Sequence, residues 1–544
     1  MSKPKQKQKK PRPDARAFLA QIRPVEFHAI HLREPRLVFG GGIQEVDPKT
    51  GLALHGPFDI REPGRHSSVR VGIVGTGAMI DATLAWVERC RLQVPAVRLA
   101  REENQIVPRP MDPSGYPPFP GLKSVFEADF IADRQMIQSL GGSLEAELRR
   151  IPIFEPRITR LVDLIIDRLR VLAEQTVPPD IVICALPTEI RKLCTTPSRH
   201  TRRGRAPLTI AEALRRAVAS ERAMGQVTLF DPTTFPNFKL DNQAKEEQEL
   251  EEQSVFHHGL KARAMQFGIP TQLAWQSTFE GGTSVEDQAT RAWNFWTAVY
   301  YKAGGVPWHV QGLDRTTCYV GISFYKDKRD QALHSCMAQA FSASGEGLVL
   351  RSEPFRRDPQ DLSRTPHLPK PLAGDLMARV LKAYRDHTGQ PPGRVVVHKW
   401  QRYTQDEHDG LRDAIGTGAS SCDLVAFGDR GIRFFRTGME PPLRGTMIPL
   451  SPTNALLYTR GYVHYLGEYP GMRVPRPIEI VEHYGDSSLT KVCEEVLALS
   501  KLDWNTAAFA SKDPITTAFA SDVGHILAEL PASVVPRPQY RFYM

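Results

Sequence analysis

Residues 257–272, HHGLKARAMQFGIPTQ, bring several hydrogen-bond donors close together in the chain. If residues 255–266 form a helix, His257 and Lys261 are four positions apart and share one helical face. A Gly-Ile-Pro break ends that helix, and the strand predicted after it carries Gln272 near the same face. The stretch taken alone is equally compatible with a solvated helix end followed by a turn.

A second ammonium group comes from Lys302, at the end of a helix predicted over residues 285–302. Two ammonium groups, an imidazole and an amide suit a terminal phosphate, which has three acceptor oxygens and up to two charges. The imidazole binds best when protonated, and a nearby phosphate favours that form. The sequence therefore predicts a terminal-phosphate pocket formed by His257, Lys261, Gln272 and Lys302.

The elements that position these residues alternate between strand and helix, which predicts an α/β fold with a parallel sheet covered by helices. Helices are predicted from apolar positions at helical spacing over 81–92 and 158–175. Strands are predicted over 69–75, 180–187, 270–276, 316–327, 394–400 and 423–429. Three further predictions are a turn at Asp47–Gly51, a hairpin of 431–438 with the last of these strands, and a strand leading into a helix over 513–530.

Composition restricts the class of protein. The chain has 544 residues, enough for two to four domains, with 41% hydrophobic and 24% charged residues, as in globular proteins. The absence of a long apolar run predicts no membrane span, and the N-terminus lacks the apolar core of a secretory signal. Seven scattered cysteines without a CxxC pair predict buried thiols in a reducing cytoplasm and argue against a zinc site.

Two segments depart from this pattern. Residues 1–20 begin with seven basic residues and one acidic residue within the first 16, which predicts a disordered basic tail. Residues 195–253 contain the basic run at 200–205 and the acidic block KEEQELEE, which predicts a charged surface excursion. Either basic run is a candidate contact for nucleic acid or a partner, and a solvated loop is the simpler interpretation.

The stretch VGIVGTGAMID, residues 71–81, contains most of a dinucleotide-binding fingerprint, with Gly75 and Gly77 between a strand and a helix. The third small residue should fall at position 80, which is Ile80. A bulky side chain there opposes the close helix–strand packing that the fingerprint needs. A tight turn in a Rossmann-like domain is the preferred interpretation.

The order of motifs HxxxK, GIPTQ and YYKAGGVPW resembles the MID domain of Argonaute proteins. The segments YVGISFY, RVVVHKW, LYTRGYVHY and LSKLDWNTAAFASKDPITTAFASDVGHIL resemble the PIWI domain, which has an RNase H-like fold. The resemblance implies a Rossmann-like MID domain over 21–305, including an N-terminal β segment, and a PIWI domain over 306–544. It also implies that the four predicted pocket residues hold the 5′-phosphate of a guide strand. Many prokaryotic members bind a divalent ion there through the terminal carboxylate, which implies Mg²⁺ at Met544.

The same resemblance predicts that this PIWI domain does not cut nucleic acid. Active relatives hold two metal ions with carboxylates. The matching positions here are Ser323 and Trp400, with Ser521 as the best match for the last ligand and Asp522 beside it. Neither serine nor tryptophan can replace an anionic metal ligand. Asp327, Asp423 and Asp429 are interpreted as loop or cap residues.

The resemblance finally implies a short prokaryotic Argonaute, since the chain before the MID-like region is too short for the additional domains of longer members. Such proteins use a guide RNA to recognise single-stranded invader DNA and activate a partner that joins an APAZ region to a TIR, sirtuin-like or nuclease effector. The expected outcome is abortive antiviral defence, with a higher oligomer possible on activation. Two alternatives remain open: an active guided nuclease with an offset carboxylate set, and a nucleotide-dependent enzyme that uses residues 69–81.

Overall fold

The computed structural model describes residues 27–194 and 256–544, apart from short gaps. The gaps lie at 66, 103–104, 112–114, 283–284, 327–332, 342–346, 356–365, 417, 430, 437–440, 470–473 and 532. The predicted basic tail, the whole of the predicted excursion at 195–253, and Asp327 lie outside the described residues. Within the described part, no helix has the length and apolarity to cross a membrane.

The helices predicted over 81–92, 158–175, 255–266 and 285–302 are present with ends shifted by a few residues, whereas most of the other described helices were not predicted. The described helices are α1 Pro48–His55, α2 Gly77–Arg91, α3 Leu122–Phe126, α4 Leu144–Arg149, α5 Phe154–Ala173, α6 Thr188–Cys194, α7 at 256–264, α8 Gln276–Glu280, α9 Gln288–Lys302, α10 Lys370–Thr388, α11 Gln405–Gly416, α12 Leu489–Leu499 and α13 Ile515–Leu527. Asp47 and Asp287 cap α1 and α9 through their carboxylates, which accept from backbone N–H groups of the first turn.

The strands divide between two principal sheets and two small ones. They are β1 Ile30–His31, β2 Leu37–Val38, β3 Gln44–Glu45, β4 Ser68–Gly75, β5 Val97–Glu102, β6 Gln105–Pro110, β7 Asp129–Ile131, β8 Ile137–Ser139, β9 Ile181–Leu186, β10 Thr271–Trp275, β11 His309–Val310, β12 Thr317–Lys326, β13 Leu333–Phe341, β14 Leu348–Arg351, β15 Arg394–Trp400, β16 Ser421–Gly428, β17 Thr446–Ser451, β18 Asn454–Leu457 and β19 Ile478–Gly485.

The first sheet is parallel, as predicted, with the order β10-β9-β4-β7 and with β8 also paired to β4. Strand β9 is buried along its whole length, and helix α5 packs an apolar face containing Leu161, Ile165 and Leu169 in the same core cluster. Because helices cover this sheet, its central strands are apolar on both faces.

The second sheet is mixed, with the order β1-β17-β18-β19-β16-β15-β12-β13-β14. An antiparallel meander, β12–β14, is extended by β15 and β16, which run parallel to β12. Helix α13 packs across β12 and β13 on one face, while α10 and α11 share the core cluster on the other. The predicted α/β class, with a Rossmann-like parallel sheet followed by an RNase H-like sheet, is confirmed.

Three local predictions are wrong. Residues 47–51 do not form a simple turn, because Asp47 and Pro48 begin helix α1. Residues 431–436 form no strand, and β16 pairs instead with β19. The segment predicted as a strand leading into a helix is helical from Ile515, after the cap at Pro514.

Asp423 is also placed differently from its predicted loop or cap position. It lies inside β16 with its side chain fully buried, where its carboxylate accepts from Arg394 Nε at 2.7 Å and contacts His483 Nε2 at 2.8 Å. Arg394 also pairs with Glu495 of α12. Asp429 does match its prediction, because it follows β16 and accepts from the backbone N–H of Gly431.

Candidate functional site

Lys302 and Gln272 meet although they are thirty residues apart. Lys302 ends helix α9, and its ammonium donates to Gln272 Oε1 and, at 3.2 Å, to Asn505 Oδ1. Gln272 is the second residue of β10 and is half-buried, while Lys302 is 2% exposed. The end of a helix and the amino end of an edge strand therefore create this half of the site.

Lys261 forms the other half. It lies on α7, is 2% exposed, and donates to the backbone oxygen of Thr271 at 3.2 Å. Its ammonium also donates to the backbone oxygen of Met544, the last residue of the sequence. The structure thus brings Met544 into the pocket that the sequence predicts around Lys261.

His257 precedes Lys261 by one helical turn on α7 and is half-buried. Its pKa is held well below the ordinary value, first by burial and then by the nearby charges of Lys261, His258 and Lys302. His257, Lys261 and Lys302 are consequently close enough for their charges to interact, and Gln272 adjoins them through its hydrogen bond with Lys302.

The two ammonium groups of this pocket differ in their bonding partners. Burial lowers the pKa of Lys261 to about 8 and holds that of Lys302 well below its usual range, with Lys261 adding to the second effect. Among the described residues, Lys302 donates to the amide oxygens of Gln272 and Asn505, whereas Lys261 donates to the backbone oxygen of Thr271 and to the Met544 terminus, whose carboxylate is anionic. A buried cation without a directly bonded counter-ion is costly, so Lys302 favours an anionic ligand.

The C-terminal segment contacts the turns that follow the two helices bearing Lys261 and Lys302. The backbone of Pro538 and Tyr540 hydrogen-bonds to the edge of the second sheet beside β14. Arg537 donates to the backbone oxygen of Met265, the first residue of the turn after α7, and Arg541 lies beside Gly304, which has a φ of +105° after α9. These contacts stabilise the turns in which the two lysine-bearing helices end.

The positions that match catalytic carboxylates also lie together. Ser323 on β12 and Trp400 on β15 each follow the last residues paired between these parallel strands. Ser323 Oγ donates to the backbone oxygen of Ala520, immediately before Ser521 on α13. The Trp400 ring packs 6.0 Å from that of Phe427. Hydroxyl and indole groups therefore occupy the positions that the family resemblance matches to metal-binding carboxylates.

Asp522 follows Ser521 directly in the sequence, and the pKa of its carboxylate is affected by Lys261 of the phosphate pocket. Desolvation and, after it, the nearby charge of Asp503 raise the pKa of Asp522 to about 6, against the opposing effect of Lys261. Within the described residues, no group of three or more His, Cys, Asp or Glu side chains is arranged to hold a metal ion.

Sequence reasoning missed Asn505 and Asp503, which lie in the loop after α12. That loop reaches Lys302 across about 200 residues of chain, so local spacing gave no signal for the contact. The same loop, through Thr506 and Phe509, lines a cavity of about 1010 Å³ whose lining also includes Arg460 and Glu286. The lining of that cavity carries both acidic and basic side chains.

The fingerprint-like turn after β4 is remote from the pocket. Gly75 pairs with Ala185 at the carboxyl end of the parallel sheet, whereas Gln272 lies at the amino end of β10. Gly77 has open space where a side chain would lie, so close packing does not require glycine there. The turn therefore joins a strand to a helix without contributing to the pocket.

Comparisons with known proteins agree with this architecture. No protein-family model matches the chain. Over 140 residues the sequence is 28% identical to a curated protein of Thermus thermophilus named Protein argonaute, a match covering 25% of this chain and 19% of that protein. A structure of Clostridium butyricum Argonaute bound to a guide DNA and a 19-mer target DNA matches 93% of this chain, with a TM-score of 0.56 and 15% identity.

The chain is Argonaute-like in sequence and in fold. Drosophila Piwi gives a similar result, matching 94% of the chain with a TM-score of 0.55 and 12% identity. The chain spans 54% of the Clostridium Argonaute and 56% of Drosophila Piwi, about half of each. At these identities the Argonaute likeness of the two structures establishes the fold.

Proposed function

We propose that this chain binds a guide strand by its 5′-phosphate in the pocket of His257, Lys261, Gln272 and Lys302. The observation that carries the proposal is the pair of buried lysines, which act on each other's charge, and of which Lys302 donates to the neutral amide oxygens of Gln272 and Asn505. A terminal phosphate supplies an anionic partner for Lys302 and several acceptors. The Argonaute-like fold supports a nucleic-acid strand as the bearer of that phosphate.

Binding should change the protonation of the pocket. In the guide-free protein, burial and mutual repulsion favour the neutral forms of Lys302 and His257. A phosphate at hydrogen-bonding distance favours their charged forms, since an opposite charge offsets desolvation. Guide binding is therefore coupled to proton uptake by these side chains.

We propose that Mg²⁺ joins the pocket together with the phosphate. The available donors are the terminal carboxylate of Met544, whose backbone oxygen lies at Lys261, and the side-chain oxygen of Gln272. This set is too small to hold the ion alone, but Mg²⁺ is commonly bound by one or two carboxylates together with substrate phosphates and water. The ion would offset repulsion between carboxylate and phosphate, while Lys261 and Lys302 orient the phosphate.

We further propose that the chain binds a target without cutting it. The support is the neutral character of Ser323, Trp400 and Ser521, because two-metal cleavage needs anionic ligands on both sides of the scissile phosphate. Target recognition would then depend on base pairing with the guide, while the protein contacts the backbone.

The biological role we propose is that of a non-slicing short Argonaute in prokaryotic immunity. An RNA guide would recognise single-stranded invader DNA in the cytoplasm. Duplex formation would shift the complex to a state that activates an APAZ-containing partner with NAD-consuming or nuclease activity. The support is the resemblance of the pocket and PIWI motifs to such proteins, together with the neutral cleavage positions.

The test is to express the chain with the product of its neighbouring gene and to sequence the nucleic acid that co-purifies, recording its length and 5′-end chemistry. Short 5′-phosphorylated RNAs of uniform length are expected. Their loss in a Lys261→Ala/Lys302→Ala double variant would tie them to the pocket. Random fragments with mixed ends, in equal amounts from both proteins, would contradict the proposal and favour the nucleotide-enzyme alternative.

A further inference from the structure

Trp400 presents an aromatic ring at the end of β15, where the family resemblance places a metal-binding carboxylate. It is the last residue of that strand, and it pairs with Phe427 of the neighbouring parallel strand β16. The two rings lie 6.0 Å apart with 59° between their planes. The indole packs against the apolar core, yet the residue is only half-buried. Part of this side chain is therefore open to a ligand.

The backbone after Trp400 holds the indole in place. Gln401 has a φ of +78°, and among the described non-glycine residues only Glu127 also has a positive φ. The N–H of Gln401 donates to the backbone oxygen of Phe427 at 2.8 Å. A left-handed conformation is unfavourable for glutamine and persists where the surrounding structure imposes it, as happens at ligand-binding sites. The turn therefore fixes the position of the indole at the surface.

Trp400 faces the same side of the second sheet as the position that matches the first catalytic carboxylate. His398, two residues earlier on β15, contacts Thr516 of α13 at 2.8 Å. Because side chains alternate along a strand, Trp400 points to that same side. Ser323 of β12 also reaches α13, where its Oγ donates to the backbone oxygen of Ala520. The indole consequently borders the surface where the resemblance places the strand to be cut.

Cations and acids alternate around the ends of β15 and β16. Arg476 and Lys512 each lie 3.6 Å from the carboxylate of Asp429, just after β16. Arg402, two residues beyond the indole, is exposed and pairs with Glu482 at 2.9 Å. Because the acids partly neutralise these cations, charge alone does not select a ligand here. The distinctive feature of this surface is the aromatic ring.

We propose that Trp400 is a stacking platform for a nucleobase of the bound guide strand while that base is unpaired. This inference rests on the proposed function and extends it from the terminal phosphate to the bases. Every base has a π-face, so stacking on an aromatic side chain tolerates any sequence, as a guide-dependent protein requires. Without bound metal ions, a carboxylate at position 400 would repel a polyanionic strand, whereas an indole attracts its bases. Pairing with a target returns the base to the duplex and releases the indole.

The experiment uses 5′-phosphorylated guides that each contain one 2-aminopurine, at a different position in each guide. Stacking on an indole quenches the fluorescence of this base analogue. Each guide is bound to the wild-type chain, to Trp400→Leu and to the control Tyr484→Leu. Tyr484 is a 43% exposed aromatic residue of the same sheet, and it pairs with Leu424 rather than with the end of β16.

In Trp400→Leu, one position or two adjacent positions should be brighter than in the wild type, while all other positions match. The affinity for an unpaired guide that reaches this surface should fall about tenfold, as expected for one lost base stack. Trp400→Phe should keep most of the quenching, and Tyr484→Leu should match the wild type throughout. A complementary target should abolish the difference between the wild type and Trp400→Leu.

A measurement on the wild type alone decides the matter if Trp400→Leu does not fold. Guides that carry 5-iodouridine in place of 2-aminopurine are irradiated in the complex, and the cross-linked residue is identified by mass spectrometry. A cross-link to Trp400 is expected from one guide position or from two adjacent positions. Cross-links confined to other residues would overturn the inference.

Identical fluorescence profiles for the wild type and folded Trp400→Leu would also contradict base stacking, as would equal brightening at every position, which indicates loss of the whole guide. The wild-type preference for 5′-phosphate over 5′-hydroxyl strands is measured in parallel. If that preference is present but no position responds to the substitution, only the stacking contact is contradicted. If the preference is absent, the proposed function itself is contradicted.

Discussion

The ammonium of Lys302, at the last residue of α9, donates a hydrogen bond to the side-chain oxygen of Gln272, at the start of β10. This contact joins two elements of the first half of the molecule, while Asn505 joins them to the second half by accepting from the same ammonium. The pocket consequently depends on the relative placement of both halves. Substitution of Lys302, Gln272 or Asn505 should therefore weaken phosphate binding without removing a contact between apolar core side chains.

The affinity for 5′-phosphorylated strands should fall as the pH rises above about 8. The free-protein pKa of Lys261 is about 8, and a bound phosphate raises it, so binding between these two pKa values requires proton uptake. The affinity ratio of 5′-phosphate to 5′-hydroxyl strands, measured from pH 7 to 9.5, should decrease over this range. An unchanged ratio would show that Lys261 does not contact the phosphate.

The free energy of unfolding of the guide-free protein should rise with pH over the range in which the affinity for phosphorylated strands falls. Folding lowers the pKa of the Lys261 ammonium from its ordinary value of 10.5 to about 8, so the unfolded chain binds more protons between these values. The destabilising effect is fully present below pH 8 and is relieved as the pH rises; it amounts to about 3 kcal/mol at 1.36 kcal/mol per unit.

Urea unfolding at several values between pH 7.5 and 9.5 measures this effect. The free energy of unfolding should rise with pH more steeply in the wild type than in Lys261→Met, which has no group that titrates at this position. Equal slopes for the two proteins would contradict the assigned burial of the ammonium.

Asp423→Asn should destabilise the protein by about 3 kcal/mol or more, because it removes one partner of a buried ion pair with Arg394. The control Asp429→Asn alters a surface residue whose ion pairs with Arg476 and Lys512 are longer, at 3.6 Å, and should cost about 1 kcal/mol or less. Chemical denaturation gives both values. The folded fraction of either variant should keep the preference for 5′-phosphate strands, and its loss in Asp423→Asn alone would link the network to the pocket.

The purified chain, loaded with a guide, should not cut a complementary target in Mg²⁺ or Mn²⁺. Ser323→Asp/Trp400→Asp should also lack efficient cleavage, because position 521 still lacks a carboxylate and an acidic group at position 323 would face the backbone oxygen of Ala520. Circular dichroism would establish that the variant is folded, since Trp400 packs against Phe427. Specific cleavage by the wild-type chain would contradict the non-slicing proposal.

Removal of divalent cations should weaken the binding of 5′-phosphate strands more than that of 5′-hydroxyl strands. The same selective loss is expected when two glycines are added after Met544, because the extension moves the terminal carboxylate away from Lys261. Titrations with and without chelator measure both effects. If chelation weakens the two kinds of strand equally, Mg²⁺ does not act at the terminal phosphate.

The parallel sheet was predictable from local patterns, and so was the closeness of His257 and Lys261, which are one helical turn apart. Helical spacing relates His257 to Lys261, and the Gly-Ile-Pro break orients Gln272. Contacts made across the fold were not predictable in this way, and they include those of Asn505 with Lys302 and His525 with His258. Local patterns also misled at Asp47, where capping chemistry resembles turn chemistry, and at Asp423, where a carboxylate is buried by an arginine distant in sequence.

The most direct test of the phosphate pocket is the affinity of one strand in 5′-phosphate and 5′-hydroxyl forms for the wild type and for Lys261→Ala/Lys302→Ala. The control, Lys382→Ala/Lys491→Ala, removes two exposed lysines and the same net charge. The wild type and the control should prefer the phosphorylated strand, while the pocket variant should lose about tenfold or more per contact for that strand alone. Equal losses for both strands in the pocket variant, or the same loss in the control, would contradict the account.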